Sequence, residues 1–132
     1  MTAQILHPEG WKPARGYANG MAAQGRMVLT GGLIGWNADC EFETDDFVGQ
    51  VEQTLRNIVA VLAEAGARPE HLVRLTWYVT SKAEYLSDPK GLGRVYKEII
   101  GRHYPAMAVV QVVALIEDRA KVEIEATAVI PD

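Results

Sequence analysis

The chain contains one cysteine, Cys40, so an intramolecular disulfide framework and a cysteine-rich zinc site are both excluded. Its three histidines, His7, His71 and His103, stand far apart without ligand spacing, and no metal site is expected. No apolar run approaches the roughly 18 residues of a membrane span, and the opening MTAQILHPEGWKP lacks the charged-then-apolar pattern of an export signal. A cytoplasmic protein without membrane attachment is the expectation. Basic clusters are missing too. The 13 Lys and Arg residues are scattered from Lys12 to Lys121 and are outnumbered by 17 Asp and Glu, for a net charge of −4. Phosphate backbones are bound by clustered cations, so this balance argues against a nucleic-acid surface.

What remains is an ordinary globular composition. With 132 residues, 48% hydrophobic and 23% charged, the chain suits one domain over residues 1–132 with one core and little surface area to spare. Two short apolar stretches, Tyr17–Ala23 and Met27–Thr30, flank Gln24-Gly25-Arg26 and predict a hairpin. A shaped loop, GGLIGWNADCEFE, follows. From Thr44, a plausible N-cap, Phe47, Val51, Leu55, Ile58 and Leu62 recur at helical spacing until Gly66. Leu72–Thr80 alternates as a strand, and Leu92–Gly101 has the inward period of a second helix, with Asp88-Pro89 before it. Ala106–Leu115 is apolar at nearly every position, as in a central strand. Val122 to Ile130 alternates between an apolar and a polar face. The predicted order is β-β-α-β-α-β-β.

Two helices cover one face of such a sheet, yet Ala106–Leu115 calls for cover on both, and the other face carries Tyr78 and Glu123. Another copy of the chain supplies that cover most economically, with the polar residues lining clefts between subunits.

Five segments in order then resemble one family: Gly16-Tyr17-Ala18-Asn19-Gly20, Met27-Val28-Leu29-Thr30-Gly31-Gly32, Gln53-Thr54-Leu55-Arg56-Asn57-Ile58, Tyr104-Pro105-Ala106 and Val122-Glu123-Ile124-Glu125-Ala126-Thr127-Ala128. Together they resemble RidA, also called YjgF or endoribonuclease L-PSP. The resemblance implies a chorismate-mutase-like α+β fold, a mixed sheet with two helices on one face, and a homotrimer with three inter-subunit clefts for a small-molecule ligand. It also implies hydrolysis of reactive enamines and imines, such as 2-aminoacrylate, to carbonyl compounds and ammonia without metal or organic cofactor.

Residue by residue, the resemblance makes Tyr17 the pocket tyrosine and Glu123 the carboxylate that holds the attacking water. The arginine that clamps a substrate carboxylate is replaced by Met107, the pocket serine by Gly31, the asparagine at the start of the second helix by Gly93, and a pocket cysteine by Val109. Met107 and Val109 would give the cleft an apolar floor, although both also suit a strand core. Trp36 is placed either to cover a bound ligand or to plug its own loop. Arg15, Arg74 and Arg94 are candidates to replace the lost clamp, with Arg15 first because it stands two residues from Tyr17.

Two functions follow. One is a cofactor-independent hydrolase acting on an enamine or imine larger than 2-aminoacrylate, or less dependent on an α-carboxylate. The other is a non-catalytic trimer that binds small molecules. Intact Glu123 favours the first and the missing arginine the second. Ribonuclease activity comes third, because the scattered cations offer RNA no track.

Overall fold

A computed structural model describes residues 3–132. It has seven strands, β1 (Gln4–Leu6), β2 (Gly20–Ala22), β3 (Gly25–Leu29), β4 (Leu33–Ile34), β5 (Leu72–Val79), β6 (Ala106–Gln111) and β7 (Val122–Pro131). Three α-helices, α1 (Phe47–Ala63), α2 (Lys82–Ser87) and α3 (Pro89–Ile99), and a 3-10 turn at Pro69–His71 complete it. The main sheet runs β3-β7-β5-β6, with β4 also paired to β7. β5 and β6 are parallel and the other pairs antiparallel, so the sheet is mixed. This is the α+β architecture expected.

The helix at α1 follows from its apolar stripe. Val51, Leu55, Ile58 and Leu62 are fully buried against Leu72, Leu75 and Ile124 of the sheet. Each such side chain contributes roughly 1.5–3 kcal/mol of burial energy. The cap differs from expectation by two residues. Asp46 accepts from the Gly49 amide at 2.8 Å, and Thr44 supports it from outside by accepting from the Asp46 amide at 3.0 Å. A carboxylate there also complements the helix dipole. Beyond the last turn Gly66 takes a left-handed φ of 79°, which ends the helix where predicted.

Three further expectations are corrected. The hairpin is not formed: β2 pairs with β1, while β3 pairs with β7. The five-residue ladder to β7 packs Val28 beside Ala128, and a local turn between two such short stretches has fewer cross-strand pairs to offer. The second helical region divides in two. Ser81 caps α2 by accepting from the Glu84 amide, and Asp88 caps α3 with Pro89 in its first turn, so the Asp-Pro pair starts a helix as well as breaking one. Finally, Ala106–Leu115 is not a central strand. β6 ends at Gln111 and lies at the sheet edge.

All three helices pack on one side of the sheet. The opposite side, bearing Met27 (62% exposed), Leu29 (63%) and Val110 (44%), is open in the single chain. Beyond β6, Val113 and Ile116 are fully exposed.

One buried polar group holds the layers together. Gln50, with no exposed surface, donates to the carbonyls of Thr44 (3.1 Å) and Arg119 (2.9 Å) and accepts from the Lys121 amide (2.8 Å). Leucine fits a similar volume and satisfies none of these groups. Gln50→Leu should therefore destabilise the fold by about 2–3 kcal/mol, read as a lower denaturation midpoint with an unchanged slope. A shift within experimental error would show that these contacts are replaced by solvent.

Candidate functional site

Ala18 forms a parallel bridge with Ala106, and its amide donates to the Pro105 carbonyl at 3.0 Å. Two of the sequence motifs thus meet, and Tyr17 is placed beside the start of β6. The register of β6 on β5 pairs Met107 with Leu75 and Val109 with Trp77, so both point to the helix side. There they form the floor of a 580 Å³ cavity walled by Arg15, Tyr17, Trp77, Tyr85 and Tyr104 among others, and roofed by the α2–α3 junction at Leu86, Pro89 and Gly93.

The walls are mostly aromatic and apolar. Tyr96 stacks on Tyr104 at 5.2 Å and donates to the His103 carbonyl at 2.6 Å. Burial, with Tyr104 nearby, raises the Tyr96 phenol far above its ordinary range, and burial also raises Tyr85. Neither is ionised near neutral pH. Trp77 lies edge-on to Tyr85, and its buried indole N–H finds no acceptor among the described residues. Among the described residues, Arg15 is the one charged side chain in the lining. Such a cavity suits an apolar ligand body and gives a small anion little to hold.

Glu123 lies elsewhere. It pairs with Tyr78 across β5 and with Ile34 across β4, on the open side of the sheet. Its side chain rests over Gly32, where an added Cβ would approach the carboxyl carbon to 2.8 Å and Cγ to 3.1 Å. A side chain at 32 would displace the flexible end of Glu123. One neighbouring pair shares the face: Tyr78 donates to Glu125 at 2.8 Å, and that bond, with desolvation and the charges of Glu125 and Glu123, raises the Tyr78 phenol. Gly31 has open space where a side chain would begin.

Trp36 packs at a tilt on Phe42 (5.9 Å), and the Arg119 guanidinium lies over the Phe42 ring at 5.4 Å. Its aromatic partner is therefore in its own loop. Asn57 of α1 fixes that loop by donating to the carbonyls of Ile34 (2.9 Å) and Trp36 (2.8 Å), while Gln53 donates to Asn57 at 2.9 Å.

The chain thus brings Arg15, Tyr17, Met107 and Val109 around one cavity and leaves Glu123, Gly31 and Trp36 away from it. Arg94 lines an adjoining hollow on α3, and Arg74 lies near the start of β5. Sequence reading missed Trp77 and Tyr85. The spacing Ser81-x-x-Glu84 was the available signal for α2 and hence for Tyr85. The histidines bond to backbone, His7 with the Trp11 carbonyl and His71 with the Arg68 amide nearby in the chain, and His103 with the distant Leu72 carbonyl. Among the described residues no cluster of three or more His, Cys, Asp or Glu is arranged to hold a metal, and no helix is long and apolar enough to cross a membrane.

A mixed sheet with helices on one side and a largely aromatic cavity beside its edge strand defines a small α+β protein with a candidate ligand pocket. The chain belongs to the endoribonuclease L-PSP family, also known as RidA or YjgF, whose model matches residues 9–130. It is 32% identical over 129 residues to a RutC family protein of Haemophilus influenzae, covering 98% of both chains. It is also 32% identical over 108 residues, 80% of each chain, to the 2-iminobutanoate/2-iminopropanoate deaminase of Salmonella typhimurium. Among solved structures it resembles YyfB, a Rid-family protein of unknown function from Yersinia pestis, with a TM-score of 0.87 and 29% identity over 98% of this chain and 100% of that one.

Proposed function

We propose that the protein is a cofactor-independent imine or enamine hydrolase that releases ammonia, acting in the cytoplasm as a homotrimer with its sites in clefts between subunits. The observation that carries this reading is the separation of Glu123 from the cavity. Glu123 faces an uncovered sheet side whose strands expose Met27, Leu29 and Val110, and a second copy seated on that side would bring its own cavity toward this carboxylate. The Salmonella deaminase among its relatives supports the reaction class.

In this reading the substrate lies on Met107 and Val109 with Tyr17 beside it. An enamine first tautomerises to the imine, its carbon gaining a proton as its nitrogen loses one. Glu123 of the facing copy accepts a proton from water as the water oxygen bonds to the C=N carbon, and returns that proton to the nitrogen. The carbinolamine then collapses: Glu123 takes the hydroxyl proton and passes it to the amine nitrogen, the C–N bond breaks, ammonia leaves and the carbonyl forms. The wall offers no clamp where Met107 stands, so small 2-imino acids are not the preferred substrates. A non-catalytic binding trimer is the second reading, favoured by that same methionine.

Light scattering tests the assembly directly, with an expected mass three times the 14.5 kDa of one chain. A stable monomer at micromolar concentration would refute the shared cleft. A trimer that releases no ammonia from a panel of apolar imines would leave the binder.

A further inference from the structure

We propose that the cavity's ligand is an extended amphipathic carboxylate, its apolar or aromatic body inside and its anionic end held outside by the cations of α3. This deepens the functional reading and rests on it for the identity of the cavity as the substrate site.

The cavity does not end at its own rim. A second hollow, about 650 Å³, continues from it along α3 and shares Pro89, Gly93 and Tyr104 with it. Gly93 forms the threshold, and nothing lies within 4 Å of where its Cβ would stand, so the space above it is unfilled. The outer hollow has the opposite character to the inner one. Lys90, Arg94 and Lys97, all exposed, recur along it at four- and three-residue steps, which places them on one helix face over about 10 Å.

Among the described residues none of these three makes an ion pair. The acids nearby are Glu98 in the lining and Asp88, whose carboxylate is engaged at 3.0 Å by the Gly91 amide. On a chain of net charge −4, three cations in line beside a largely aromatic cavity are a local reversal of sign. A ligand that fills both hollows needs an apolar body and one anionic end, separated by the width of the threshold. The α-carboxylate of a small imino acid would instead sit on Met107, short of the cations.

Calorimetric titration with three unreactive probes tests this: 4-phenylbutyrate, its uncharged amide 4-phenylbutanamide, and butyrate, which lacks the ring. The natural protein should bind 4-phenylbutyrate about tenfold more tightly than either of the others, and added salt should weaken that binding while sparing the amide. The triple variant Lys90→Gln, Arg94→Gln, Lys97→Gln changes exposed residues only. It should lose the preference for acid over amide and keep the amide's affinity.

Gly93→Leu, which favours the helix, should block the threshold and lower affinity for 4-phenylbutyrate about tenfold. Equal binding of acid and amide would overturn the proposal. A preference that survives in the triple variant would also overturn it, and would assign the anion to Arg15. These outcomes are independent of turnover. Charge-selective binding with no ammonia release from any imine would sink the hydrolase reading and leave this one standing.

Discussion

Glu123→Gln should lower imine hydrolysis by about a hundredfold or more, the usual scale for loss of a general base, with the assembly and thermal midpoint unchanged. The amide keeps the carboxylate's shape but cannot take a proton from water. Its fold cost is small because Glu123 makes no side-chain hydrogen bond to another described residue and lies on the open side of the sheet. A structural role for the carboxylate would appear as a shifted midpoint, and the proposed chemical role would not. Gly32→Ala gives a second, independent reading of the same group. A methyl at 32 would meet the Glu123 Oε2, with the carboxyl carbon at 2.8 Å and Cγ at 3.1 Å, and push the side chain aside without altering its chemistry. Activity should fall in that variant as well, with binding of an unreactive ligand retained. If Glu123→Gln turns over at the natural rate, the carboxylate has no part in the reaction.

The position of Glu123 relative to the cavity is also where the sequence was least readable. Alternation within β7 correctly separates Glu123 from its apolar neighbours, and alternation within β6 separates Met107 and Val109 from Ala108 and Val110. Neither pattern says which face of one strand matches which face of another. That depends on register, here Met107 beside Leu75 and Glu123 beside Tyr78, and register joins residues far apart in the chain. The long amphipathic helix was legible because its period and its end signal are local.

The edge position of β6 was not legible. An unbroken apolar run reports that both faces of a strand need cover, but not whether a neighbouring strand or another molecule provides it. The hairpin failed for a related reason: Gly25 allowed a turn, yet the longer ladder to β7 was worth more than the local pairing. In the long helix, Gln53 and Asn57 could be quoted as part of a family pattern, but their work in holding the loop from Ile34 to Trp36 shows only once the loop lies beside them.

Met107→Arg should raise affinity and turnover for small α-imino acids such as 2-iminopropanoate by roughly ten- to a hundredfold, the return on about 1.5–3 kcal/mol from a bidentate guanidinium–carboxylate contact. The side chain at 107 points to the helix side, partly buried against the core, and lines the same cavity floor as Val109 and Tyr17, so a longer residue there can extend into the ligand space. Burial raises the Tyr85 and Tyr96 phenols, which stay neutral, and a guanidinium keeps its charge in such a setting, so the new cation would act in a partly dry site where a carboxylate is its best partner. The natural protein, with methionine in that place, should hydrolyse these small substrates weakly and favour an apolar, extended imine. Ammonia release from imines generated enzymatically from several amino acids compares the two proteins directly. Should the natural protein already match the variant on 2-iminopropanoate, the carboxylate must be held by another group. Arg15, the charged residue that lines the cavity beside Tyr17, is then the one to replace next.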